Sequence, residues 1–207
     1  LSAGLYLVVG GVSVGKTITM LAASQVAIDA SVSAVYLSTF EPRSPEYPKK
    51  GTTGTIPFFD NASLYLDDLK VFFRDKKDIS LVVLDSVTLP LKYHASSLRE
   101  GSGTFAGGMQ ITDIDFCVQL NSYFASRTIV CLATINSAII SYATQLEGYC
   151  EGLIQVSSPG NITARGRGTK RRQRVSLNFK KADVDYVAQT YLGYDASPSR
   201  ADFIGIR

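Results

Sequence analysis

Gly10-Gly11-Val12-Ser13-Val14-Gly15-Lys16-Thr17 has the spacing G-x-x-x-x-G-K-T. Glycines at both ends let backbone N–H groups curl around an anion. The Lys adds a point charge for β- and γ-phosphates, and the Thr a hydroxyl for Mg²⁺. A carboxylate suited to the same cation is Asp85, which closes the apolar run Leu81-Val82-Val83-Leu84. At the end of a buried strand it would hold Mg²⁺ directly or through water. Glu41 ends the run Ala34 to Phe40 and would polarise a water against the γ-phosphate; Glu46, between two prolines, is its rival. Asn136 follows the run Thr128 to Thr134, where an amide could donate to the γ-phosphate or the lytic water.

These residues need strands and helices to place them. Leu5 to Val9 reads as a buried strand running into Gly10, and Lys16 to Asp29 as a helix. Strands are expected at Ala34 to Phe40, Ser80 to Leu84, Thr128 to Thr134 and Gly152 to Val156. Helices are expected at Leu64 to Phe73 and Met109 to Ala125, with a more polar helical segment at Ala138 to Tyr149. Pro42 to Pro57 reads as a loop, and the Gly- and Ser-rich stretch Leu91 to Gly108 as a long mobile one. The alternation of strand and helix, with continuously apolar strands, predicts an α/β fold. Its sheet is mostly parallel, with helices on both faces.

Charge is unevenly spread. Pro159 to Lys181 holds eight basic residues and no acid: Arg165, Arg167, Lys170, Arg171, Arg172, Arg174, Lys180 and Lys181. The remaining chain is net acidic, so the basic charge is local and suits phosphate, of a nucleotide or a nucleic acid. This stretch reads as a C-terminal antiparallel hairpin, turning near Gly166 to Lys170 and returning from Gln173 to Phe179. Lys92 and Arg99 add two cations in the loop after Asp85, which could touch a nucleic-acid backbone or be merely solvated. Tyr191 and Tyr194 follow the hairpin and are candidates to stack on a nucleotide base or to pack as ordinary tyrosines.

Composition sets the outer limits. With 207 residues, 45% hydrophobic and 19% charged, the chain can bury a core, which excludes wholesale disorder. No apolar run reaches the ~18 residues of a membrane span, so no membrane partner is expected. Cys117, Cys131 and Cys150 form no CxxC pair, and His94 is the one histidine. That argues against a zinc site and a disulfide framework, and for a reducing compartment. The first residues carry no signal-peptide pattern and no initiator Met, so a fragment of a longer chain is expected. The division expected is a core at 1–158 and a basic hairpin with C-terminal extension at 159–207.

Glu after the second strand, Asp after the third and a polar residue after the fourth resemble the RecA-like ring ATPases. The stretches Ser80-Leu81-Val82-Val83-Leu84-Asp85-Ser86-Val87, Gly107-Gly108 and Cys131-Leu132-Ala133-Thr134-Ile135-Asn136 resemble the packaging NTPase of double-stranded-RNA bacteriophages, the cystoviruses. The resemblance implies a hexameric ring that hydrolyses ATP or another NTP with Mg²⁺ and draws single-stranded RNA into a viral capsid. It would be capsid-associated in the virion and act in the cytoplasm of the infected bacterium. It implies Lys16 and Thr17 on phosphate and Mg²⁺, Asp85 as the metal acid, Glu41 as the base and Asn136 as a sensor. Arginines of the hairpin, with Arg167, Arg172 and Arg174 chosen, would be fingers entering the neighbouring subunit's site. The loop from Leu91 to Gly108 and the segment after Asn136 would face the channel. Ala138 to Gln145 departs from the pattern by holding no Lys or Arg. RNA contact would therefore rest more on Lys92 and Arg99.

Two other classes compete. One is another RecA-like helicase or a monomeric P-loop kinase or NTPase; no NKxD guanine-reading motif or Arg-rich lid supports the monomeric enzymes. The other is an assembly protein that uses nucleotide as structural glue. Concentration-dependent turnover and RNA stimulation separate the three.

Overall fold

The computed structural model describes residues 1–11, 13–39, 56–59, 62–88, 111–135, 145–166 and 174–192. At 111–113, 174, 175, 177 and 192 it describes the backbone alone. Short runs of β-branched, aromatic and leucine residues form the strands β1 (Gly4–Val9), β2 (Ala34–Ser38), β3 (Phe58–Phe59), β4 (Leu81–Asp85) and β5 (Val130–Thr134). They continue in β6 (Gly152–Ser158), β7 (Asn161–Gly166) and β8 (Arg174–Asn178). The sheet order is β3-β2-β4-β5-β1-β6-β7-β8. β1 to β6 are mutually parallel. β7 and β8 add as an antiparallel hairpin. The expected α/β architecture with a C-terminal hairpin is therefore the one observed.

Four helices are described: α1 (Lys16–Asp29), α2 (Leu66–Phe73), α3 (Ile111–Ser126) and α4 (Lys181–Leu192). Each central strand buries both faces, and the period of two divides them. Leu5, Leu7 and Val9, Val35 and Leu37, Val82 and Leu84, Cys131 and Ala133 pack with α2 and α3. Tyr6 and Val8, Ala34 and Tyr36, Leu81 and Val83, and Leu132 pack with α1 and α4. Asp85 continues the phase of Leu81 and Val83, and Thr134 that of Leu132, so both side chains belong to the α1 face. No described helix is long and apolar enough to cross a membrane.

Two elements were not expected from the sequence. β3 is a two-residue pairing of Phe58 and Phe59 with Tyr36 and Leu37. It is too short to show a period. α4 carries the pattern of an amphipathic helix, since Val184, Val187, Ala188 and Tyr191 recur at helical spacing and pack toward α1. Tyr191 is thereby corrected as a base-stacking candidate. It is fully buried, accepts a hydrogen bond from Ile56 N (2.7 Å) and donates to Gln25 Oε1 (3.4 Å). Tyr194 lies outside the described residues. So does most of the expected polar helical segment, whose described end includes a 3₁₀ turn at Glu147–Tyr149.

Candidate nucleotide site

β1 stops at Val9 because Gly10 turns the chain away where a side chain has no room. A Cβ on Gly10 would meet Val156 O at 2.8 Å. Gly15 has φ +85°, and a Cβ there would meet Pro159 Cγ at 2.7 Å. Only glycine satisfies both demands. Gly15 is also the N-cap of α1. No side chain caps this end and no acid stands in its first turn. The first backbone N–H groups and the positive end of the helix dipole therefore stay available to an anion. Lys16 Nζ lies over the same loop and donates to Gly10 O (3.0 Å) and Gly11 O (2.8 Å). Burial lowers its pKa from the ordinary lysine value, and the Asp85 carboxylate partly restores it.

The second half of the site is built on the sheet. Asp85 is buried, at 5% exposure, and its carboxylate is tied by three hydroxyls. Thr17 Oγ1 donates to Oδ2 at 2.8 Å and Tyr36 OH to the same oxygen at 2.6 Å. Thr134 Oγ1 donates to Oδ1 at 2.5 Å. β5 separates β1 from β4 in the sheet, so Thr134 stands between the strand that leads into the glycine loop and the strand that ends in Asp85. The structure brings Lys16, Thr17 and Asp85 together as the sequence predicts. It adds Tyr36 and Thr134, which the motif did not reveal. Their signal was a polar group in phase with Asp85 on a neighbouring strand.

The donors suit magnesium. Carboxylate and hydroxyl oxygens are hard ligands, and Mg²⁺ is ordinarily held by one or two carboxylates together with substrate phosphates. Among the described residues there is no group of three or more His, Cys, Asp or Glu able to hold a metal by itself. Cys117, Cys131 and Cys150 are buried free thiols, and burial pushes Cys131 well above the usual range.

Val12, Glu41, Glu46, Lys92, Arg99, Asn136, Arg167 and Arg172 lie outside the described residues, as does the side chain of Arg174. Their approaches are visible in part. Ser38 pairs with Asp85, so the chain leading to Glu41 leaves β2 beside the carboxylate. Ile135 N donates to Val8 O at 2.9 Å, so the chain leading to Asn136 leaves β5 beside β1.

The hairpin has two distinct ends. At one, the β6–β7 turn touches the glycine loop: Pro159 lies against Gly15, and Gly160 N donates to Thr19 Oγ1 at 3.0 Å. At the other, Gly166 pairs with Gly152, which pairs with Tyr6, four residues before Gly10. β7 thus runs away from the glycine loop, ending at Arg165 and Gly166. Arg165 and Arg174 are cross-strand neighbours there, and Arg165 Nη2 lies 3.7 Å from Glu147 Oε2.

No family model matches the sequence, and no curated protein matches it. Solved structures do share its fold. The P4 protein from bacteriophage phi6 in complex with ADP aligns at a TM-score of 0.51 and 16% identity, over 84% of this chain and 59% of that one. The flagellar accessory protein FlaH from Methanocaldococcus jannaschii aligns at 0.53 and 14% identity, over 87% of both chains. The P4 protein from bacteriophage phi13 aligns at 0.46 and 17% identity, over 85% of this chain and 58% of that one. The chain spans about three-fifths of the length of the two phage proteins it matches. The likenesses to the phi6 P4 protein and to FlaH are of fold, and the fold is RecA-like.

Proposed function

We propose that the chain is the NTPase core of a ring-forming motor that couples hydrolysis of ATP or another NTP to translocation of single-stranded RNA. It would package genome precursors into a viral capsid, associated with the virion and working in the cytoplasm of an infected bacterium. The observation that carries the nucleotide part is the meeting of Thr17 with Asp85 at 2.8 Å beside Lys16, at the open N-terminus of α1. Gly10 to Thr17 would cradle the phosphates, and Thr17 and Asp85 would hold Mg²⁺. Bound there, the cation would neutralise charge on the β- and γ-oxygens. Glu41 would orient and deprotonate the attacking water, and Asn136 would read the γ-phosphate.

The motor part is supported by the fold likeness to the phi6 P4 protein and by the placement of the basic charge. The arginine end of β7 and β8 points away from its own chain's glycine loop. Fingers at Arg167, Arg172 and Arg174 would therefore serve a neighbouring copy, as in a hexamer. Lys92 and Arg99 would contact RNA.

The likeness to FlaH favours a second reading, because it covers 87% of both chains. That protein is a flagellar accessory protein, so the same core could support assembly without translocation. NTPase turnover separates the two, measured against protein concentration with and without single-stranded RNA. A motor speeds up with both. Turnover that responds to neither would overturn the motor reading and leave the nucleotide site standing. Replacing Lys92 and Arg99 together with neutral residues is expected to reduce RNA stimulation while basal turnover persists, and RNA binding is expected to fall steeply with salt.

A further inference from the structure

We propose that Tyr36 is a positioning residue for the divalent cation, fixing the Asp85 carboxylate so that the Thr17 hydroxyl is free to turn to the metal. The inference rests on the reading of Lys16, Thr17 and Asp85 as a nucleotide site. It goes beyond that reading by adding a residue that no phosphate-loop motif contains.

Tyr36 is fully buried in the middle of β2. It pairs with Val83, two residues before Asp85, on the same face of the sheet. Its ring stacks on Phe58, with centroids 5.0 Å apart and planes 12° from parallel. That packing holds the phenol at one height, where its hydroxyl donates to Asp85 Oδ2 at 2.6 Å. A hydrogen bond to an ionised oxygen at this distance belongs to the strong, charge-assisted class. Buried at this depth, the phenol acts through the carboxylate and does not touch a ligand itself.

The division of hydroxyls gives the arrangement its sense. Thr134 holds Oδ1 from β5, Tyr36 holds Oδ2 from β2, and Thr17 shares Oδ2 from α1. The two sheet-borne hydroxyls fix the carboxylate plane without help from the helix. When Thr17 turns to a cation, Oδ2 keeps the Tyr36 bond. Without the phenol, Oδ2 depends on Thr17, and the metal must compete with that bond.

Tyr36→Phe keeps the ring and its stack and removes one hydroxyl. The test is binding of a fluorescent ADP analogue to the full chain, titrated with Mg²⁺, and Mn²⁺ binding in the presence of ADP read by electron paramagnetic resonance. Tyr36→Phe is expected to raise the half-saturating Mg²⁺ and the Mn²⁺ dissociation constant roughly tenfold. ADP affinity without metal is expected to stay as in the unsubstituted chain. Phe58→Leu, which loosens the same packing and leaves the phenol, is expected to leave both metal values nearly unchanged. Equal metal dependence in Tyr36→Phe and the unsubstituted chain would overturn the proposal. So would an equal shift in Phe58→Leu, because the effect would then be one of packing. An unsubstituted chain that binds ADP without any metal dependence would overturn the reading of the site itself.

Discussion

Lys16 is held by two loop carbonyls, so its ammonium already occupies the mouth of the glycine loop. Its role is a charge clamp on phosphate, and it contributes little to the core. Lys16→Ala is expected to keep the fold and lose about a thousandfold in turnover, as removal of one transition-state contact does. Near-native turnover would refute the assignment, with circular dichroism reporting the fold. The base is tested by a pair of variants. Glu41→Gln keeps shape and loses the proton acceptor, so it is expected to bind Mg-ATP and not cleave it. A dead Glu46→Gln beside an active Glu41→Gln would transfer the role to Glu46. The cradle was legible from spacing because phosphate binding needs those residue types within one turn of chain, and Asp85 because it closes an apolar run. Tyr36 and Thr134 were not, because which hydroxyls meet a carboxylate depends on the register of β2, β4 and β5, and that is a long-range property.

Strands that bury both faces announce themselves as apolar runs, so β1, β2, β4 and β5 were readable; β6 was readable too, though Gln155 and Ser157 are exposed on it, and all their ends differ from expectation by only a few residues. β3 was not, since two residues have no period. α4 shows how a polar helix hides: its buried stripe is narrow, and Tyr191 resembles a ligand contact until its neighbours are known. That tyrosine gives a signed pH prediction. Burial pushes its pKa from 10.0 up to about 12, with the Ile56 N–H pulling the other way. The folded chain therefore keeps a proton that the unfolded chain releases between about pH 10 and about pH 12. The associated stability is complete below pH 10.0 and is lost as pH rises to about 12. Tyr191→Phe is expected to lose about 1–3 kcal/mol at neutral pH, because the buried Ile56 N–H loses its acceptor. It is also expected to lack this part of the alkaline fall. Urea midpoints of both proteins across the alkaline range check each effect, and parallel alkaline curves would count against it.

At the scale of the whole molecule, the RecA-like fold was legible because the central strands and the helices α1 to α3 were signalled locally and the parallel order follows from their alternation. What the arginine-rich hairpin serves was not legible, because sequence alone does not say which end of the sheet a turn occupies. β7 and β8 add to the sheet so that one end of the hairpin touches the glycine loop and the other, where Arg165 pairs with Arg174, lies away from it. Of the five arginines from Arg165 to Arg174, Arg165 lies near Glu147 in the same chain. Arginine is preferred where a planar donor must meet phosphate oxygens. If the hairpin serves a neighbour, hydrolysis depends on assembly, and a finger of this kind contributes ~10³–10⁵ in rate. Arg172→Ala or Arg174→Ala chains are then expected to bind nucleotide, to turn over poorly alone, and to keep an intact Lys16. Lys16→Ala chains have the opposite defect. Mixing two inactive proteins, allowing subunits to exchange and measuring NTPase activity should recover turnover, because some junctions then join an intact Lys16 to an intact arginine. With mixed assemblies demonstrated by mass photometry, activity that stays absent at every ratio would mean that these arginines act within their own chain or on RNA alone.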